Sequence, residues 1–204
     1  MNEESCERLH TSDEILVDKI VTNPLENNVF LLTCLASGKS VIIDAAAEPD
    51  RILDLAKDTD VRAILTTHGH WDHVGAAAEV SAALRVPVYI GPEDAALSGL
   101  PTTHPLTPGV VSLGELELEV IATPGHTPGS HCVSVGPVIF TGDTLFPGGP
   151  GATQDSAAFA QIMESLDTHL FTRPDDTMIL PGHGLHTTIG AERGSVDDWR
   201  RRGW

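Results

Sequence analysis

A strand-like run, Val61-Arg62-Ala63-Ile64-Leu65-Thr66, ends in Thr67-His68-Gly69-His70-Trp71-Asp72-His73, so four potential metal ligands crowd into six positions behind an apolar segment. Imidazoles and carboxylates stay exposed unless paired, and a packed core does not collect three histidines and an aspartate at such a place. A divalent cation does. Three further groups lie downstream: His126 in Thr123-Pro124-Gly125-His126-Thr127-Pro128-Gly129, Asp143 in Phe140-Thr141-Gly142-Asp143, and His183 in Leu180-Pro181-Gly182-His183-Gly184. Each follows a strand-like run and is rich in Gly, Pro and Thr, the composition of tight turns that bend a side chain back towards a common point. Whatever fold the chain adopts must bring these distant segments to one rim of its sheets.

The spacing suggests a division of labour. In an extended segment His68 and His70, two apart, project to the same side and can grip one ion together. Asp72 and His73 follow where the chain turns into a helix, and are offset towards a second ion. His126 is the candidate third nitrogen for the first ion, and His183 the candidate further nitrogen for the second. Asp143, with two carboxylate oxygens, can bridge them. Ligation by nitrogen and oxygen without cysteine suits Zn(II), Fe(II) or Mn(II), and the number of imidazoles favours two Zn(II).

Composition narrows the rest. A chain of 204 residues fits one domain with a substantial core. No apolar run approaches the roughly eighteen residues that a bilayer requires, and the opening Met1-Asn2-Glu3-Glu4-Ser5 is acidic where a signal peptide is basic. A soluble, cytoplasmic protein without membrane contact is expected. Cys6, Cys34 and Cys132 are odd in number and widely spaced, so neither a disulfide framework nor a thiolate zinc knuckle is indicated. The net charge of −17 argues against nucleic acid as a partner. No Lys or Arg occurs between Arg85 and Arg173, so loops from that stretch cannot clamp an anionic substrate with guanidinium. A small-molecule substrate is the expectation; oligomeric state is not legible.

Strands are expected over 15–22, 28–36, 40–44, 61–66, 86–90, 115–122, 131–135, 138–141 and 178–180 by β-branched content and boundary residues. Helices are expected over 49–57, 74–84 and 156–170, with shorter ones at 93–98 and 196–201. Residues 98–109 read as a proline-rich loop. Consecutive strands at both ends point to meanders within mixed sheets, with helices outside. Residues 1–12 read as an N-terminal tail and 13–204 as a single domain.

The order H-x-H-x-D-H, T-P-G-H-T-P-G, F-T-G-D and P-G-H-G resembles the metallo-β-lactamase superfamily, and its wording is similar to the glyoxalase II-like hydrolases. The resemblance runs from about Leu16 to Ile189. It implies a four-layer αββα sandwich of the α/β class, with metals at one edge. It also implies that His68, His70 and His126 hold one metal, that Asp72, His73 and His183 hold the other, and that Asp143 bridges them. The activity implied is a dinuclear metal-dependent hydrolase cleaving a small thioester with metal-made hydroxide, Asp72 acting catalytically by orienting the hydroxide or accepting its proton.

Departures from the resemblance carry information too. The main zinc β-lactamases carry cysteine or serine where this chain has Asp143. Many short relatives read G-R-T-D after the bridging aspartate, whereas Gly149-Pro150-Gly151-Ala152-Thr153-Gln154-Asp155 lacks the arginine. Glyoxalase II proper adds a C-terminal helical domain, and here only a short segment follows His183. A mononuclear-iron persulfide dioxygenase, which would use His68, His126 and Asp143, is the alternative from another class; a lactonase or ester hydrolase is a variant of the first.

Other residues keep more than one reading. Asp44 serves equally as a support for a ligand histidine or as a turn aspartate. His186 lines the site or is a solvated loop histidine. Trp71 forms a pocket wall or packs against the following helix. The terminal Trp199-Arg200-Arg201-Arg202-Gly203-Trp204 caps the fold, reaches a partner or binds an anionic thiol conjugate.

Overall fold

The structure is a computed structural model and describes residues 6–203. The acidic opening at 1–5 and the final Trp204 lie outside the described residues.

The first half of the chain builds one sheet. Its strands are β1 (Glu7–Thr11), β2 (Ile15–Thr22), β3 (Asn27–Cys34), β4 (Lys39–Ile43), β5 (Asp60–Leu65), β6 (Val88–Ile90) and β7 (His104–Pro105), hydrogen-bonded in that order. β1 to β4 form an antiparallel meander, and β4 to β7 run parallel. The parallel connections are made by α1 (Pro49–Ala56), by α2 (Trp71–Val74) with α3 (Ala77–Leu84), and by the short α4 (Ala95–Ser98). A second sheet follows from β8 (Gly109–Leu113), β9 (Leu116–Ala122), β10 (His131–Val135), β11 (Val138–Gly142), β14 (Met178–Pro181) and β15 (Thr187–Thr188). Between β11 and β14 come the small hairpin of β12 (Leu145–Phe146) and β13 (Gly149–Pro150), then α5 (Ser156–Ser165); α6 (Ile189–Arg193) and α7 (Val196–Arg202) complete the chain.

Alternation along the strands explains the layering. Side chains of a strand point to opposite faces in turn. Val17, Phe30, Leu32, Val41, Ile43 and Leu65 of the first sheet therefore meet Leu118, Val120, Val133, Phe140 and Leu180 of the second in one buried cluster between the sheets. The opposite face of the first sheet, with Val29, Leu31, Ile42 and Ile64, packs on Ile52 of α1 and Val80 of α3. That of the second, with Ile121, Ile139 and Ile179, packs on Ile162, Ile189 and Trp199 of α5, α6 and α7. Both sheets are covered on both faces, which is why every residue of β3 is buried. The result is one four-layer αββα sandwich of mixed sheets.

Several elements differ from the sequence expectation. Residues 7–11, expected within a tail, pair antiparallel with β2, where Arg8 meets Asp18 at 3.0 Å, Lys19 meets Glu7 at 2.9 Å, and Leu9 packs on the inter-sheet cluster. The loop expected over 98–109 contributes β7, and β8 follows as a mostly exposed edge strand. The helix expected over 74–84 breaks around Gly75 and Ala76, where a side chain on Gly75 would lie 2.6 Å from the Ala46 carbonyl oxygen.

Leu118 is fully buried in the inter-sheet cluster, in a strand whose ends lie outside the ligand motifs. Leu118→Ala should lower unfolding free energy by about 2–5 kcal/mol, read by denaturant titration. Metal content of the folded protein should stay unchanged.

Candidate metal centre

Every ligand motif sits where a strand ends at the same edge of the sandwich. The loop after β5 carries His68 and His70, and the short α2 that follows it carries Asp72 and His73, so the first sheet provides four of the groups. The second sheet provides the others: His126 after β9, Asp143 after β11 and His183 after β14. Thr67 accepts from the N–H of His131 through its carbonyl oxygen at 2.8 Å, and Asn27 bridges to His183, so the two sheets are joined beside the site.

All seven groups come together. His68 Nε2 lies 3.1 Å from His70 Nδ1, which lies 3.0 Å from His126 Nε2. His73 Nε2 lies 3.2 Å from His183 Nε2, and Asp72 Oδ2 is 3.5 Å and 3.3 Å from those two nitrogens. Asp143 stands between the sets, Oδ1 at 3.4 Å from His73 Nε2 and Oδ2 at 3.6 Å from His126 Nε2 and 3.8 Å from His183 Nε2.

The outer edges of the rings explain their aim. A ligating histidine is oriented by the hydrogen bond its other nitrogen makes. His126 Nδ1 is bonded to the Ala152 carbonyl at 2.7 Å, His183 Nδ1 to the Leu25 carbonyl at 3.0 Å, and His68 Nδ1 to the Thr67 hydroxyl at 3.2 Å. His73 Nδ1 meets Asp44 Oδ2 at 2.9 Å. That settles the double reading of Asp44: it is buried, holds His73, and accepts from both the N–H and the hydroxyl of Thr67 at 2.7 Å. Its φ of 57° is left-handed, a conformation aspartate tolerates better than most residues. Asn27 was not read from the sequence as part of the site, yet it donates through Nδ2 to Asp72 Oδ2 at 3.0 Å. An asparagine at the start of a strand carries no signal of its own.

The donor set fits divalent cations. Bonds of about 2.0–2.1 Å from imidazole to zinc in a tetrahedral site put neighbouring nitrogens about 3.3 Å apart, close to the 3.0–3.2 Å separations found within the two sets. Asp143 Oδ1 is buried without a hydrogen-bond partner, an orphan acceptor of the kind a cation satisfies. Burial first, then neighbouring imidazoles, pushes His68 well below the usual histidine range and lowers His70 as well, which keeps their lone pairs free. His73 goes the other way. Burial opposes its charge, but Asp44 and then Asp143 overcome it and push the pKa up to about 10. The same imidazolium, against the penalty of burial, holds Asp143 below the usual carboxylate range. The carboxylates beside His73 thus favour a positive charge at the second set, which a divalent cation held by Asp72, His73 and His183 would supply.

The remaining histidines stand apart. His186, His104 and His169 are exposed, His131 is buried with Nδ1 on the Gly129 carbonyl, and His10 belongs to β1. Trp71 is 63% exposed and borders a shallow surface hollow together with Asp72, Gly75, Ala76 and, from α3, Glu79. In the C-terminal segment Trp199 is buried in the outer cluster near Phe171, Arg200 and Arg201 pair with Asp167 and Asp198, and α7 caps the second sheet.

Known proteins bear on this geometry. Residues 22–183 match the family model described as the metallo-beta-lactamase superfamily. The hydroxyacylglutathione hydrolase GloC of Haemophilus influenzae is 33% identical over 180 residues, covering 76% of this chain and 85% of its own. Among solved structures, TTHA1623 in a di-iron-bound form superposes with a TM-score of 0.76 at 33% identity, covering 86% of this chain and 96% of that one. ETHE1 from Myxococcus xanthus gives 0.77 at 29%, covering 86% and 80%. The BLEG-1 B3 metallo-beta-lactamase gives 0.72 at 28%, covering 87% and 96%.

Gly182 offers a test of the packing around the cluster. A Cβ there would lie 2.5 Å from His73 Cε1 and 2.6 Å from Asp143 Oδ1. Gly182→Ala should weaken Zn(II) binding by roughly tenfold or more, the scale on which disturbed ligand support acts. Competition with a chromophoric chelator measures it, and circular dichroism should report an intact fold.

Proposed function

This chain belongs to the metallo-beta-lactamase superfamily, and on that premise we propose a dinuclear metal-dependent hydrolase that cleaves a small thioester, the acyl conjugate of a low-molecular-weight thiol. The observation that carries the reading is the pairing of two ligand sets across Asp143, His68, His70 and His126 on one side and Asp72, His73 and His183 on the other. Zinc suits this mixture of imidazole and carboxylate, and Fe(II) or Mn(II) are alternatives. When bound, such a pair supplies hydroxide near neutral pH by lowering the pKa of a water from about 15.7 towards about 7, and it receives charge that develops on a carbonyl oxygen.

The protein's own groups divide the remaining work. Asp72, fixed by the Asn27 amide and set 3.3 Å from His183 Nε2, orients the attacking oxygen and takes up its proton. Asp143 holds the two sets in fixed relation. Trp71 and Leu185 expose apolar surface beside Asp72 and His183, Leu25 does so from the turn after β2 whose carbonyl holds His183, and the ring of Phe146 lies 6.4 Å from that of His183. An apolar acyl group suits such a border, and the lack of Lys or Arg between Arg85 and Arg173 gives the loops after β9 and β11 no cation for an anionic one. A thiolate, with a solution pKa of about 8.5, leaves with little help from an acid, in keeping with the lack of a dedicated acid in the motifs. The charge of −17 disfavours a nucleic acid in this place.

The likeness to ETHE1 and the approach of His126 to Asp143 favour a second reading, a mononuclear-iron persulfide dioxygenase using His68, His126 and Asp143. Elemental analysis and a substrate panel on one preparation separate the two. Under the first reading the protein holds about two ions per chain and cleaves S-acyl thiols faster than lactones, esters or β-lactams. Asp72→Asn should then lower kcat by about 10²–10⁴-fold, the range for a positioned proton acceptor. A metal-replete enzyme inert towards every thioester would sink this assignment, and oxygen uptake with a persulfide would replace it with the second.

A further inference from the structure

Asp94 belongs to none of the ligand motifs. It ends the turn Pro92–Asp94 that leads into α4, and it is completely buried. Its Oδ2 accepts from the backbone N–H of Gly69 at 2.8 Å and from the hydroxyl of Thr127 at 2.6 Å, and its Oδ1 accepts from the N–H of Gly129 at 2.8 Å. Gly69 separates His68 from His70, and Thr127 follows His126 directly. One carboxylate thus spans the two loops that carry all three imidazoles of the first set. None of its hydrogen bonds reaches the loops of Asp143 or His183.

The contact is close as well as polar. A Cβ on Gly69 would lie 2.7 Å from the Asp94 carbonyl oxygen, and one on Gly129 would lie 2.6 Å from its Cγ. Only glycine lets both loops approach this far. The Thr127 hydroxyl gives its hydrogen to Asp94 and is met at 2.7 Å by that of Ser130, whose oxygen accepts from the Thr127 N–H at 3.1 Å. A buried network with every member satisfied holds its geometry rigidly. Asp44 differs: it holds His73 directly and reaches His68 only through Thr67, so it serves both sets.

We propose that Asp94 is the positioning residue of the first metal set, fixing the separation of the His68–His70 loop from the His126 loop and so setting cation affinity there and not at the second set. The proposal rests on the metal-centre reading. Asp94→Asn keeps the size but turns one acceptor oxygen into a donor, which must face the Gly129 N–H or the Gly69 and Thr127 pair. Thr127→Val removes the hydroxyl that ties Asp94 to this loop, together with its contact to Ser130, and Thr127→Ser retains both.

The full chain, stripped of metal, is titrated with Zn(II) against a chromophoric chelator, and the ion retained at limiting Zn(II) is located by anomalous scattering. The parent should load both sets. Asp94→Asn and Thr127→Val should bind at the first set roughly 10–100-fold more weakly, the usual effect of losing an outer partner, with the second set unchanged and Thr127→Ser behaving as the parent. If Asp94→Asn does not fold, the Thr127 pair decides. First-set affinity unchanged in Thr127→Val, an equal loss at both sets, or a Thr127→Ser as weak as Thr127→Val would overturn the proposal. A parent that takes up no Zn(II) is a separate outcome, seen before any variant is compared, and it would remove the metal-centre reading itself.

Discussion

Lone pairs at close quarters repel, and this chain presses five imidazoles and two carboxylates together, with neighbouring ligand atoms 3.0–3.8 Å apart. The fold opposes that repulsion by anchoring each ligand loop from behind. Carbonyls of Leu25 and Ala152 hold two of the rings, the Thr67 hydroxyl a third and Asp44 a fourth, while Asp94 secures the backbone between them. The bonds of Thr67, Asp44 and Asp94 are made between buried groups, where an electrostatic contact is stronger than in water, while those to Leu25 and Ala152 lie at the exposed margin. The cluster is therefore a property of the surrounding sandwich more than of the seven residues themselves.

Glycine is the means by which the sheets come close enough. Gly142 has a φ of +47°, a left-handed conformation open to glycine, and a Cβ on it would lie 2.3 Å from the Thr67 hydroxyl oxygen. The turn that releases Asp143 from β11 is thereby pressed against the loop that follows β5. Packing between the sheets and aim at the cluster meet at this one contact.

The residues that cluster at the sandwich edge could be picked out in the sequence because their pattern is local: H-x-H-x-D-H is dense, and each later member sits in a turn of Gly, Pro and Thr after an apolar strand. The strands of the inter-sheet core were equally plain, since β2, β9 and β10 carry their apolar residues in runs with clear boundaries. What escaped is what depends on partners. β1, β7 and β15 are short edge strands whose pairing comes from the neighbouring strand, and α6 spans only Ile189–Arg193. Asp94 and Asn27 stand in ordinary turn and strand contexts, and their meaning lies in residues tens of positions away. Asp44 was visible as a question, because an aspartate at a strand end serves a turn or a ligand equally well until the position of His73 is known.

The ligands are divided between the halves of the chain, four after β5 and three after β9, β11 and β14. A cation shared through Asp143 would thus act as a rivet across the seam of the sandwich, added only when both halves have docked. Binding of this sort favours the assembled state by mass action, and a preformed site is rarely present in an unfolded chain. Loading would thus add stability to halves that the inter-sheet core already holds together, by an amount that rises with the free cation concentration.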